Sequence, residues 1–230
     1  MATFVLVHGA CHGPWCWEPL TPLLTERGHA VVAPELPCDD PSAGLMTYVK
    51  VVEGAIDPSA DDLVLVGHSL GGLTVPAVAS RRDVRAVVFL AGIVGMPGKS
   101  LADLAEIDAD RDAPLKDGDI EMQENGTFIF SEQCARRALY HDCAPDVADA
   151  AIAQLRPQRS LWADVSPDAV WPQTRFASIV SAHDRIVNPD WSQRIARERL
   201  GCEPIMMESG HSPMLSHPET LADILLRLAP

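Results

Sequence analysis

Val64-Leu65-Val66-Gly67-His68-Ser69-Leu70-Gly71-Gly72 is a run of buried-strand character, then Gly-x-Ser-x-Gly, then the start of a helical stretch reaching Ser80. A serine at a sharp strand-to-helix turn has strained backbone, and its hydroxyl stands above the end of the sheet. The residues two before and two after it crowd that turn, so both must be nearly free of side chain. Gly67 and Gly71 meet that need, and Gly72 lets the helix approach the sheet. A helix N-terminus beneath the serine offers N–H groups and the positive dipole end to a forming oxyanion. The competing reading is a phosphate-binding loop. It is disfavoured because no Lys follows the glycines and no Gly-x-Gly-x-x-Gly occurs. Pro76 lies six residues past the turn, where its ring would press on the Gly72 carbonyl, so a kink is expected there.

On both sides of this stretch, short apolar runs alternate with helical stretches. Thr3–Val7 and residues 30–33, 63–66, 86–90, 176–180 and 205–207 are continuously apolar rather than alternating. That pattern fits strands covered on both faces. Helix candidates span residues 17–26, 45–56, 70–80, 189–199 and 218–228, with Ser216 and Glu219 forming a capping-box pattern at the start of the last. The fold class expected is α/β: a mostly parallel six-stranded sheet flanked by helices. Residues 93–174 break the rhythm. They contain an acidic run, the short segment Thr127–Phe130, helical patterns near 132–140 and 146–155, and boundary residues Gly95, Pro97, Gly98, Pro167 and Pro172. This insertion is expected to be a helical cap over one sheet edge, leaving residues 1–92 and 175–230 as the core. Its aromatic content argues against a disordered linker.

A serine hydroxyl needs a base. Among eight histidines, His211 follows the last strand run directly, in Glu208-Ser209-Gly210-His211-Ser212, and the preceding glycine can turn it back over the sheet. His217, at the start of the final helix, is the competitor. The acid should follow an earlier strand, and Asp184 lies just past 176–180. Asp190, the alternative, reads as a dipole partner in the first turn of the next helix. Leu70 N–H would be one oxyanion donor, and Ala10 N–H, in the loop after the first strand, the second. His8, Cys11, His12 and Cys16 could suggest a metal site, but all sit in one loop without the paired spacing of a zinc module. No metal or cofactor is expected.

The chain has 230 residues, 47% apolar and 22% charged, enough for a full hydrophobic core. Its 18 Lys and Arg against 32 Asp and Glu give a formal charge of −14. Nucleic-acid and anionic-membrane surfaces need a cationic footprint and are disfavoured. The start Met1-Ala2-Thr3-Phe4-Val5 lacks the charged region of a signal peptide, and six scattered cysteines read as reduced thiols. The expected location is cytoplasmic.

His8-Gly9-Ala10-Cys11-His12-Gly13-Pro14-Trp15-Cys16-Trp17, Gly67-His68-Ser69-Leu70-Gly71-Gly72 and Gly210-His211 together resemble the α/β-hydrolase superfamily. More narrowly they resemble the methylesterase and hydroxynitrile-lyase family of plants and its bacterial relatives. The resemblance covers residues 3–92 and 175–228. It implies a helical cap and a catalytic triad of Ser69, His211 and Asp184, with Ala10 and Leu70 as oxyanion donors. The order Ser, Asp, His is that of the superfamily. The family's lyases resemble one another in having Thr where this chain has Gly9, Lys where it has Ser212, and Glu and Cys in the elbow where it has His68 and Leu70. The resemblance therefore implies a carboxylic ester hydrolase. Trp15, Phe128, Phe130, Leu139 and Trp162 are candidate substrate contacts, which suggests a small hydrophobic ester such as a methyl ester. A lyase on the same triad and a hydrolase-fold ligand-binding protein are the rival readings. The partner expected is a small-molecule ester, and a homodimer is the one assembly left open.

Overall fold

Six apolar runs pair into a single parallel sheet because helices cover both of its faces. The computed structural model describes residues 1–113, 115–166 and 171–229. The first half of the core comprises β1 (Thr3–Val7), α1 (Thr21–Thr25), β2 (Ala30–Val32), α2 (Leu45–Ala55), β3 (Leu63–His68), α3 (Thr74–Ala79) and β4 (Ala86–Leu90). The insertion carries α4 (Leu101–Ile107), β5 (Ile120–Met122), β6 (Thr127–Phe130), α5 (Glu132–Cys134), α6 (Pro145–Ile152) and β7 (Gln158–Arg159). The core resumes with β8 (Arg175–Ser181), α7 (Pro189–Glu198), β9 (Ile205–Met207), α8 (Pro213–Ser216) and α9 (Pro218–Leu228). The large sheet has the order β2-β1-β3-β4-β8-β9 with every pairing parallel.

Alternate strand residues feed two separate cores, as the pleat demands. Val5, Val7, Leu65, Val87 and Phe89 pack with α2, α3 and α7 on one face. Phe4, Leu6, Val66, Val88 and Leu90 pack with α9 and Trp17 on the other. Every residue of β1, β3 and β4 is buried, which is why their sequences are continuously apolar.

Three local expectations are corrected. Residues 17–26 do not form one helix: a 3-10 turn at Pro14–Trp17 is followed by the short α1, because Pro19 and Pro22 lack N–H donors. The helix after Ser69 begins as a 3-10 turn over Ser69–Leu73 and becomes α-helical only at Thr74, so Pro76 falls in the first turn of α3. Ser216 is not the N-cap of α9. His217 occupies that position without a side-chain cap bond, and Ser216 Oγ bonds the Ser212 carbonyl at 3.4 Å instead.

The insertion is not purely helical. β5, β6 and β7 form a three-stranded antiparallel sheet beside its helices. Ala135, Leu139, Tyr140, Ala148 and Ala151 make a small core of their own. Pro167, read as a boundary of this region, lies outside the described residues. No described helix is long and apolar enough to cross a membrane.

Candidate active site

Ser69 sits at the end of β3 with φ of 49°, a conformation that non-glycine residues rarely adopt. Its carbonyl accepts from Ile93 N–H at 2.9 Å. A Cβ on Gly67 would lie 2.8 Å from the Gly71 carbonyl oxygen, and one on Gly72 would lie 2.5 Å from that of Ile93. The turn therefore closes only around glycine. Pairing of Val7 with Gly67 in adjacent parallel strands carries the loop after β1 over this turn. A Cβ on Gly9 would come within 2.8 Å of Ser69 Cβ. Ala10 N–H donates to no backbone carbonyl among the described residues, and Leu70 N–H lies in the first turn of the 3-10 segment that follows Ser69.

His211 Nδ1–H donates to Asp184, 2.8 Å from Oδ2 and 3.0 Å from Oδ1. Both side chains are buried. Asp184 Oδ1 also accepts from the N–H groups of Ile186 (2.8 Å) and Val187 (3.1 Å). These bonds fix the carboxylate and the imidazole tautomer, leaving Nε2 as the free basic nitrogen. The His211 carbonyl accepts from His68 Nε2–H at 2.9 Å, and the two rings lie 4.9 Å apart. The base loop is thus tied to the residue preceding Ser69. No hydrogen bond joins Ser69 Oγ to His211 Nε2 in this structure. In resting enzymes that bond is often long and tightens when substrate binds.

The alternatives are placed elsewhere. His217 bonds Ser216 Oγ at 2.8 Å and faces Asp142 at 3.6 Å. Asp190 lies in the first turn of α7, where its N–H is capped by Asn188 Oδ1 at 3.0 Å.

Three more histidines, His8, His12 and His68, are buried around the turn, and burial favours their neutral form. Leu36 N–H donates to His8 Nε2 at 3.1 Å, so the proton is on Nδ1, which donates to the Gly9 carbonyl at 3.0 Å. His12 Nδ1–H donates to the Ala10 carbonyl at 2.7 Å, and Tyr140 Oη–H donates to its Nε2 at 2.9 Å. These ring nitrogens are committed to the protein rather than to a metal. Burial lowers the pKa of His8 to about 4 and that of His12 to about 3, and pushes His68 well below the usual histidine range. Each imidazole takes up a proton on unfolding between its unfolded pKa of ~6.5 and its folded value, so the unfolded chain binds more protons there. Stability is full above that window and falls as pH drops through it. Urea unfolding at pH 7 and pH 5 is expected to show a loss of about 2 kcal/mol for each of His8 and His12, with His68 acting in the same direction.

A narrow crevice beside the turn, with essentially no room for a water molecule, is lined by His8, Gly9, Tyr48, Leu70, Gly71 and Gln158 among others, and by none of Ser69, Asp184 and His211. Tyr48 and Gln158 escaped the sequence reading because they come from α2 and β7, far apart in the chain. Gln158 bonds both the Tyr48 hydroxyl (2.9 Å) and Cys11 N–H (3.4 Å). The five residues read as substrate contacts lie outside this crevice. Trp15 stacks on His12 with ring centroids 5.3 Å apart. Leu139 is buried in the insertion's core, and Phe130 packs against it with Phe128 edge-on at 6.0 Å. Trp162 is 49% exposed. A larger cavity of about 20 Å³, lined by Leu73, Pro76, Met96, Leu101 and Trp171 among others, is likewise not bordered by Ser69, Asp184 or His211.

The model of the Alpha/beta hydrolase family matches residues 4–224. Salicylic acid-binding protein 2 of Nicotiana tabacum is 28% identical, with 98% of this chain and 96% of that protein aligned. Methyl jasmonate esterase 1 of Vitis vinifera is 26% identical over 96% of this chain and 94% of its own length. The crystal structure of tomato methylketone synthase I complexed with 2-tridecanone superposes with a TM-score of 0.83 at 25% identity, covering 99% of this chain and 97% of that one.

Proposed function

Given that the chain belongs to the alpha/beta hydrolase family, we propose that this carboxylic ester hydrolase cleaves a small hydrophobic ester, a methyl ester above all, through an acyl-enzyme on Ser69. The buried His211–Asp184 pair, tied through His68 to the serine turn, is the observation that carries the reading. Ser69 Oγ attacks the ester carbonyl and His211 Nε2 takes its proton. Asp184 holds Nδ1–H and balances the imidazolium. The tetrahedral oxyanion rests on the N–H groups of Ala10 and Leu70, and losing one such donor costs about 3 kcal/mol of barrier. His211 then protonates the departing alcohol. Water, activated by the same imidazole, releases the acid.

The methyl jasmonate esterase and methylesterase names of several relatives favour methyl esters. Gly9 and Ser212 support hydrolysis over lyase chemistry, since Gly9 lacks the hydroxyl of the lyases' Thr and Ser212 lacks the cation of their Lys. Fluorophosphonate labelling followed by peptide mapping tests the proposal, alongside a panel of methyl esters of aromatic and alicyclic acids. The label is expected on Ser69, with turnover of several esters. An unlabelled Ser69 with no ester hydrolysis, and cyanohydrin cleavage instead, would sink it.

A further inference from the structure

We propose that residues 140–142 of the insertion form a two-armed positioning clamp that sets the oxyanion loop and the base loop relative to each other. This rests on the acyl-enzyme reading above. A π turn over Ala135–Leu139 ends at Tyr140, whose N–H closes on the Ala135 carbonyl; such turns are uncommon and cluster at functional sites.

The first arm is Tyr140, 1% exposed, whose hydroxyl donates to His12 Nε2 at 2.9 Å. His12 passes the constraint on by donating to the Ala10 carbonyl at 2.7 Å. The peptide following Ala10 is thereby oriented, and the next residue, Cys11, is held at φ of 62°. The proposed donor, Ala10 N–H, belongs to the same residue as the restrained carbonyl.

The second arm is Asp142, whose Oδ2 accepts from Gly210 N–H at 2.6 Å. Gly210 immediately precedes His211. A Cβ on Gly210 would collide with Asp142 Oδ1 and lie 2.7 Å from His141 Cε1. Gly210 is not among the residues of positive φ, so its missing side chain serves this close approach rather than an unusual turn. Neither Tyr140 nor Asp142 touches a reacting atom. Both act through the loops they hold, and both stand on one short turn, so donor and base share one anchor.

The test compares Tyr140→Phe, Asp142→Ala, Asp142→Asn and Ser69→Ala, with kcat referred to active sites titrated by fluorophosphonate and with Tm measured alongside. Tyr140→Phe keeps the ring and loses the donor; Asp142→Asn keeps an acceptor for Gly210 N–H. Small misplacements of reacting groups cost up to about 100-fold in rate, so kcat is expected to fall about 10-fold or more in Tyr140→Phe and Asp142→Ala, with KM changed by about twofold at most. Asp142→Asn recovers most of the loss. Parent-like kcat per titrated site in either variant overturns the clamp, whatever the change in Tm. Equal losses in Asp142→Asn and Asp142→Ala also overturn it, because the acceptor would then be irrelevant. Turnover surviving in Ser69→Ala removes both the clamp and the mechanism it serves, whereas an inactive Ser69→Ala with active clamp variants removes the clamp alone.

Discussion

Ser69→Ala is expected to lower ester turnover by about 10⁶-fold, the scale seen when the nucleophile of a serine triad is removed. His211, Asp184 and both backbone donors remain, so any residual rate reflects binding and the oxyanion site alone. Ser69→Gly is expected to be equally inactive but more stable than Ser69→Ala. The φ of 49° at this position strains any side chain with a Cβ, and glycine relieves about 1 kcal/mol of that strain. Kinetics on a methyl ester together with thermal unfolding of both variants checks the pair. The stability difference separates two properties of one residue: the hydroxyl serves the chemistry, and the backbone conformation presenting it costs stability.

The second large effect concerns Gly71. A Cβ there would lie 2.6 Å from the Val7 carbonyl oxygen and 2.7 Å from that of His8. Both are backbone atoms at the end of β1, which pairs with β3 through Val7 and Gly67, so no side chain can rotate away. Gly71→Ala must push the serine turn and the β1 loop apart. Overpacking of this kind costs typically 1–3 kcal/mol, and the backbone contact argues for the upper end, about 3 kcal/mol. For a chain of this length that corresponds to a Tm lowered by roughly 6–12 °C. The same displacement separates Ala10 N–H from Leu70 N–H, so kcat is expected to fall even where the variant is folded. Circular dichroism melting with titrated-site kinetics measures both. A parent-like Tm with full activity would mean that the two backbones part without consequence, contrary to the packing described.

Much of this was legible in the residues. The strand runs announced themselves because a doubly covered sheet demands unbroken apolar sequence, and β1, β4 and β9 have the bounds expected. The helices after β1 and after Ser69 were less legible. Prolines at 14, 19, 22 and 76 convert parts of them into 3-10 turns whose apolar pattern still reads as helical. The insertion was legible only as an interruption. Its strands are two to four residues long, too short for periodicity to separate them from loops.

The chain's own order of residues determined the serine turn, since the close approach of position 67 to the Gly71 carbonyl is local and permits only glycine, while those of Gly71 to β1 and of Gly72 to Ile93 come from packing. It also pointed to His211 and Asp184, because each follows a strand of the same sheet. Tertiary packing alone decided that Asp142 holds Gly210, that Tyr140 reaches His12, and that Gln158 meets Tyr48. Those contacts join residues 68, 128 and 110 positions apart, and no local propensity encodes a distance of that kind. They arise only when the insertion folds back onto the sheet and buried polar groups must find partners there.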